Sequence, residues 1–201
     1  MMYFPTVEYA ASDYIKTSTG NIVSRKALIV KPQAVELPGG RCIVGDNVVI
    51  RGDLAPVQVN KYSNIGAGTV LRPGTIMTAA PAAAGEGAPA SASASASASG
   101  GLRFIPMTVG SHTQIGRDCI IEAAVIGMGC VIGDSCIICP RAVLKDFVTV
   151  QDGAVVCPDT VVPPFSIVAG RPGRIVGEAP ESTSTLAVAD AVKVFKSWRP
   201  V

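Results

Sequence analysis

Six cysteines and a single histidine, His112, are the side chains here whose types suit nucleophilic, general-base or metal chemistry. Cys136-Ile-Ile-Cys139 spells half of a zinc site. No second Cys-x-x-Cys and no histidine pair accompanies it, whereas a closed zinc site takes four ligands. His112, within Ser-His-Thr-Gln, has the chemistry of a general base, yet no acid partner or substrate-binding constellation stands with it in the sequence. Arg51-Gly52-Asp53 spells an integrin-binding tripeptide. What each residue can do depends on the element that holds it.

That element is written in a six-residue beat. From Ile126 an aliphatic returns at Ile132, Ile138, Leu144, Val150, Val156, Val162 and Val168. Neither a helix nor a flat strand has this period; a chain coiled around a triangular prism does, with one inward side chain per face. The beat runs earlier through Val44 and Ile50, then Val59, Ile65 and Leu71, and again from Val109 through Ile115 and Ile121. An all-β, left-handed parallel β-helix with a C-terminal α-helix is therefore expected, with a lead-in over 1–26, the prism over 27–177 and the helix over 181–199. Offsets at Asp53–Val57 and between Ile121 and Ile126 read as corner bulges. Glycine directly after the inward residue, as at Gly66 or Gly116, suits a corner that is tight or crowded.

The register explains most of the cysteines. Cys119, Cys130 and Cys136 fall four places after an inward residue, the slot also filled by Thr69, Thr113 and Ala142, so they read as small corner residues. Cys139 and Cys157 fall one place after it. His112 lies at a corner, where it is expected to face solvent. Arg51 and Asp53 lie within a coil, where packing is expected, and Phe147 and Phe165 are expected at exposed corners that mark contacts.

Residues 79–101, rich in Ala and Ser, abandon the beat and bury too little area to offset ordering entropy; a flexible loop is expected. Val188, Val192 and Phe195 follow at helical spacing, flanked by Leu186 and Trp198 and ended by Pro200, predicting an amphipathic helix that covers a face or an edge. A net charge of +2 and 5% aromatic residues suggest neither a phosphate-tracking groove nor a base-stacking platform, so no nucleic acid is expected. No export signal is read at the start, and the apolar stretch 119–133 is too short and too polar for a membrane span; a cytoplasmic chain with reduced thiols is expected, with no direct membrane insertion.

Three blocks, RGDLAPVQVNKYSNIGAGTVLR, IGRDCIIEAAVIGMGCVIGDSCI and VPPFSIVAGRPGRIV, resemble the gamma-class carbonic anhydrases, prisms that hold zinc with three histidines. Matched block to block, the metal positions fall on Arg72, Arg117 and Glu122. Guanidinium groups offer donors alone and cannot ligate a cation. Hexapeptide-repeat acyltransferases are similar prisms with a histidine base, which makes an enzyme, gamma-class or acyltransferase, the alternative reading.

The start YIKTSTGNIVSRKALIV, followed by CIVGDNVVIRGDL, goes beyond both and resembles the dynactin subunit 5 family. That resemblance implies a non-enzymatic scaffold without cofactor or metal in the dynactin pointed-end complex, cytoplasmic and on the cytoskeleton. It implies dynactin subunit 6, dynactin subunit 4 and the pointed-end actin-related protein as partners, and dynein adaptors or endosomal cargo beyond them. Arg51, Asp53, Phe147, Phe165 and Trp198 are then the candidate partner contacts.

Overall fold

Strands of two or three residues, each followed by a tight corner, are what a six-residue aliphatic beat produces. A computed structural model describes residues 7–10, 12–77 and 102–200; segment 79–101 lies outside the described residues. The strands stack into three parallel sheets, the faces of a left-handed β-helix. The first face holds Leu28–Val30, Val49–Arg51, Val70–Leu71, Ile120–Ile121, Ile137–Ile138 and Val155–Val156. The second runs from Val35–Glu36 through Val57–Val59, Met107–Val109, Val125–Ile126 and Val143–Leu144 to Val161–Val162. The third runs from Ile22–Ser24 to Ser166–Ala169 and is closed at each end by an antiparallel strand, Tyr14–Lys16 and Arg174–Glu178. Antiparallel closure keeps the end strands of that face from offering an open ladder.

The beat is the core. Every aliphatic from Ile126 to Val168 on the six-residue count is at most 2% exposed, as are Ile50, Ile65, Leu71, Ile115 and Ile121. The small slot four places later joins one coil to the next. Ser63, Thr69 and Thr113 donate their hydroxyls to the carbonyls of Gly110, Gly116 and Gly127 at 2.8, 2.8 and 2.9 Å. Cys119, Cys130 and Cys136 do the same with their thiols, to Gly133, Lys145 and Gln151 at 3.1 Å each. A buried polar group is thereby satisfied at each corner. The glycines directly after an inward residue answer crowding, not backbone sign: a Cβ on Gly66 would lie 2.4 Å from the Gly116 carbonyl oxygen of the next coil.

The third coil opens between the first and second faces. There Thr75–Met77 and Leu102–Phe104 pair antiparallel, bringing together the two ends that flank segment 79–101. After the last coil the chain forms the helix Thr183–Ser197, with Ala187 and Ala191 buried against the prism. Trp198 does not extend the helix. Trp198–Pro200 turns extended and pairs in parallel with Val7–Tyr9, so the last described strand meets the first. No helix among the described residues is long and apolar enough to cross a membrane.

Candidate functional site

The corner that follows the first face carries most of the charged chemistry. Arg51, Arg72, Glu122, Cys139 and Cys157 each follow an inward residue of that face, and in-register pairing stacks those positions coil upon coil. Each arginine is matched to a carboxylate. Arg72 pairs with Glu122 across one coil step. Arg51 turns back onto Asp53, with both nitrogens at 2.7 Å from the two carboxylate oxygens. Arg141, which sequence reasoning missed, grips Asp159 with two nitrogens and donates a third N–H to the Thr75 carbonyl at 2.6 Å.

Hydrogen bonds from Arg51 hold the Asp53 carboxyl below the usual range, and those from Arg141 do the same for Asp159. Around the pairs lies an open depression of about 280 Å³, lined by Arg51, Leu54, Arg72, Phe104, Glu122 and Pro140. Fixed cations already paired to anions recognise polar groups and fix orientation; they do not shuttle protons. Arg117 stands at a different corner, exposed, where its backbone N–H donates to Asp134 Oδ1 at 2.7 Å. Within this chain the three positions matched to metal ligands therefore do not converge. Two of them neutralise each other.

The first face itself is the larger feature. Residues preceding its inward positions point outward, and pairing sets Leu28, Val49, Val70, Ile120, Ile137 and Val155 in one row along the whole prism. All six are aliphatic. Leu28 and Ile120 are exposed, at 57% and 42%, and the other four are half-buried. The corresponding row of the second face is polar over its first three coils, at Glu36, Gln58 and Thr108, and aliphatic only beyond them, at Val125, Val143 and Val161. That of the third includes Asn64, Gln114 and Thr149. An unbroken apolar row needs two facts to be seen in sequence, the beat and the three-face count, since its members recur once per coil.

The helix leaves that face bare. Three places before each inward residue of the third face stand Arg41, Tyr62, His112, Gly129, Phe147 and Phe165, all with positive φ, a ladder along the corner between the second and third faces. Here the expected exposure of His112, Phe147 and Phe165 is corrected. His112 is 9% exposed and stacks on Tyr62 at 5.3 Å between ring centroids, while Tyr62 meets Phe195 of the helix edge-on at 5.8 Å. Its Nδ1 is buried without a hydrogen-bond partner, and burial followed by the Lys61 charge lowers its pKa.

Phe147 and Phe165 are half-buried and stacked on each other at 5.2 Å. Trp198 packs within the chain against Tyr9 and Tyr14. A left-handed corner with room for an aromatic is a tertiary property, and no motif announces it. In a triangular section the corner these residues occupy lies opposite the first face. Cys136 and Cys139, for their part, flank the strand Ile137–Ile138 and sit at its two different corners.

Comparison with known proteins decides the family. A model of dynactin subunit 5 matches residues 93–201. The chain belongs to the dynactin subunit 5 family. Its relative described as dynactin subunit 5 in Dictyostelium discoideum is 32% identical over 119 residues, covering 59% of this chain and 50% of that protein. This member of the dynactin subunit 5 family thus spans about half the length of the curated relative it matches.

Among solved structures the fold resembles AntD, an N-acyltransferase from Bacillus cereus. A mutant in complex with dTDP and coenzyme A superposes with a TM-score of 0.62 at 16% identity, covering 86% of this chain and 87% of the other. The complex of AntD with dTDP and 3-hydroxybutyryl-CoA gives 0.54 at 16% identity, covering 94% and 91%. At that identity the likeness is one of fold.

Proposed function

We propose that this chain is a non-enzymatic scaffold subunit of the dynactin pointed-end complex and that its first face is the surface a second prism packs against. The observation that carries the reading is the unbroken aliphatic row from Leu28 to Val155, left bare by the helix and bordered by the Arg51, Arg72 and Arg141 pairs. Six strands at about 4.8 Å spacing give a row of about 24 Å, flat because each coil repeats the last. An apolar centre with a charged rim is the anatomy of a protein interface.

The partner that fits a flat parallel face is another β-helix, which in this assembly is dynactin subunit 6. Dynactin subunit 4 and the pointed-end actin-related protein are the further partners, and dynein adaptors or endosomal cargo are engaged by the assembled complex. The work is then done in the cytoplasm, on the cytoskeleton. No proton relay is built at the charged corner, and Arg72 with Glu122 occupies ligand positions of the gamma-class resemblance, in keeping with a surface that binds and does not catalyse.

Co-expression with dynactin subunit 6 tests this. The double variant Ile120→Asp, Ile137→Asp should keep the unfolding midpoint within a few degrees and lose the co-purifying subunit. Retention of the subunit at wild-type yield by a folded double variant would refute the assignment of this face.

A further inference from the structure

The chain repeats itself one coil apart at the first-to-second corner: Ile138-Cys139-Pro140-Arg141 lies beneath Val156-Cys157-Pro158-Asp159. Ile138 and Val156 are register partners, which makes Cys139 and Cys157 vertical neighbours. The stack is pinned on both sides of the thiols. Before them the Cys139 N–H donates to the Val156 carbonyl at 3.0 Å, and after them the Asp159 N–H donates to the Pro140 carbonyl at 3.2 Å. The Arg141 fork on Asp159 then holds the two Cys-Pro turns in line.

Adjacent parallel strands are about 4.8 Å apart. A disulfide needs Cα atoms roughly 4.4–6.8 Å apart with side chains on one side. Both thiols are free and half-buried, within reach of a small reagent, whereas Cys42, Cys119, Cys130 and Cys136 are fully buried.

We propose that Cys139 and Cys157 are a reversible thiol–disulfide site, oxidised by low-molecular-weight disulfides of the glutathione class to a clip across two coils. The Cys157 thiolate attacks one sulfur of the reagent disulfide, breaking its S–S bond; one thiolate leaves and takes up a proton. Cys139, deprotonated in turn, attacks Cys157 Sγ in the mixed disulfide and expels the second thiolate, which is also protonated. Two electrons and two protons pass from the pair to the reagent, which ends as two thiols. Burial first, then Cys157 and Glu122, push the Cys139 thiol up, which keeps it protonated and leaves the first attack to Cys157; the second step is favoured because it is intramolecular.

The test uses the full chain treated with oxidised glutathione, followed by alkylation and non-reducing peptide mapping. Alkylatable cysteines should fall from six to four, with one cross-linked peptide joining Cys139 to Cys157 and restored by dithiothreitol. Cys139→Ser should stop at a glutathione adduct on Cys157. A link mapped to Cys119 and Cys136, separate adducts on Cys139 and Cys157, or six alkylated cysteines in the treated protein would each overturn the proposal.

Discussion

Ile132 and Val131 are neighbours in one two-residue strand, and they should respond to the same substitution in opposite ways. Ile132 is 2% exposed and packs in the axial core between Ile115 and Val150; Val131 is 38% exposed on the outer side. Truncating Ile132 to Ala removes three buried carbons at about 0.8 kcal/mol each, about 2.5 kcal/mol of transfer. The cavity that an ordered ladder cannot collapse around raises this to about 3–4 kcal/mol.

Ile132→Asp also places a carboxyl among aliphatic side chains with no donor near it, adding about 1–3 kcal/mol even if it stays protonated. A typical domain has 5–15 kcal/mol in all, so this variant should be largely unfolded at ambient temperature. Val131→Asp should cost about 1 kcal/mol or less, since its side chain stays in water and loses mainly strand preference. Denaturant titration followed by circular dichroism measures both. Equal midpoint shifts for Ile132→Asp and Val131→Asp would mean that the inward register is misassigned, and with it the outward row on the first face.

Two further outcomes concern the helix corner. A Cβ on Gly129 would lie 2.5 Å from the Phe147 ring and 3.5 Å from Ala187 Cβ, at φ +65°. Gly129→Leu should therefore destabilise by about 2–4 kcal/mol and speed amide exchange at Ala187 and Ala191; unchanged exchange would show that the helix does not rest there. His112 supplies a pH dependence. The fold lowers its pKa, so as pH falls through about 6.5 the unfolded chain takes up the proton first and stability declines until the native imidazole is charged too. His112→Phe, at a position whose ladder equivalents Phe147 and Phe165 already show φ near +58°, should flatten the denaturation midpoint between pH 7 and 5. A wild-type midpoint flat over that range would refute the assignment.

The prism was legible because its signal is local and redundant. A two-residue strand buries the side chain that the beat marks, and sixteen aliphatic positions from Val44 to Val168 agree, so Ile50, Ile65, Leu71 and the run to Val168 needed no tertiary information. The small-residue slot was legible for the same reason, although its hydroxyl and thiol bonds to the next coil were not. That Arg72, Arg117 and Glu122 stand where the gamma-class resemblance has its metal ligands could be read by matching blocks. That Arg72 and Glu122 meet while Arg117 stands at another corner could not, because it depends on which residues share a ladder position one coil apart.

Exposure of aromatics is not legible in the sequence where a distant element intervenes. His112, Phe147 and Phe165 occupy corners that a bare prism would expose, and the helix that begins at Thr183, well beyond Phe165 in the chain, lies along that edge. Trp198 likewise finds Tyr9 and Tyr14 because the last described strand returns to the first.

By itself, the amino-acid sequence determined the period, hence three faces and an aliphatic axis. Period is a property of neighbours in the chain, and six-residue spacing carries it without reference to anything distant. Tertiary structure alone decided which surface is left for use. Coiling brings residues about eighteen positions apart into contact, lines Leu28 to Val155 into one apolar row, stacks Cys139 under Cys157, and lays the helix over the opposite corner. Those juxtapositions arise from closure of each coil upon the next, and a linear pattern does not contain them.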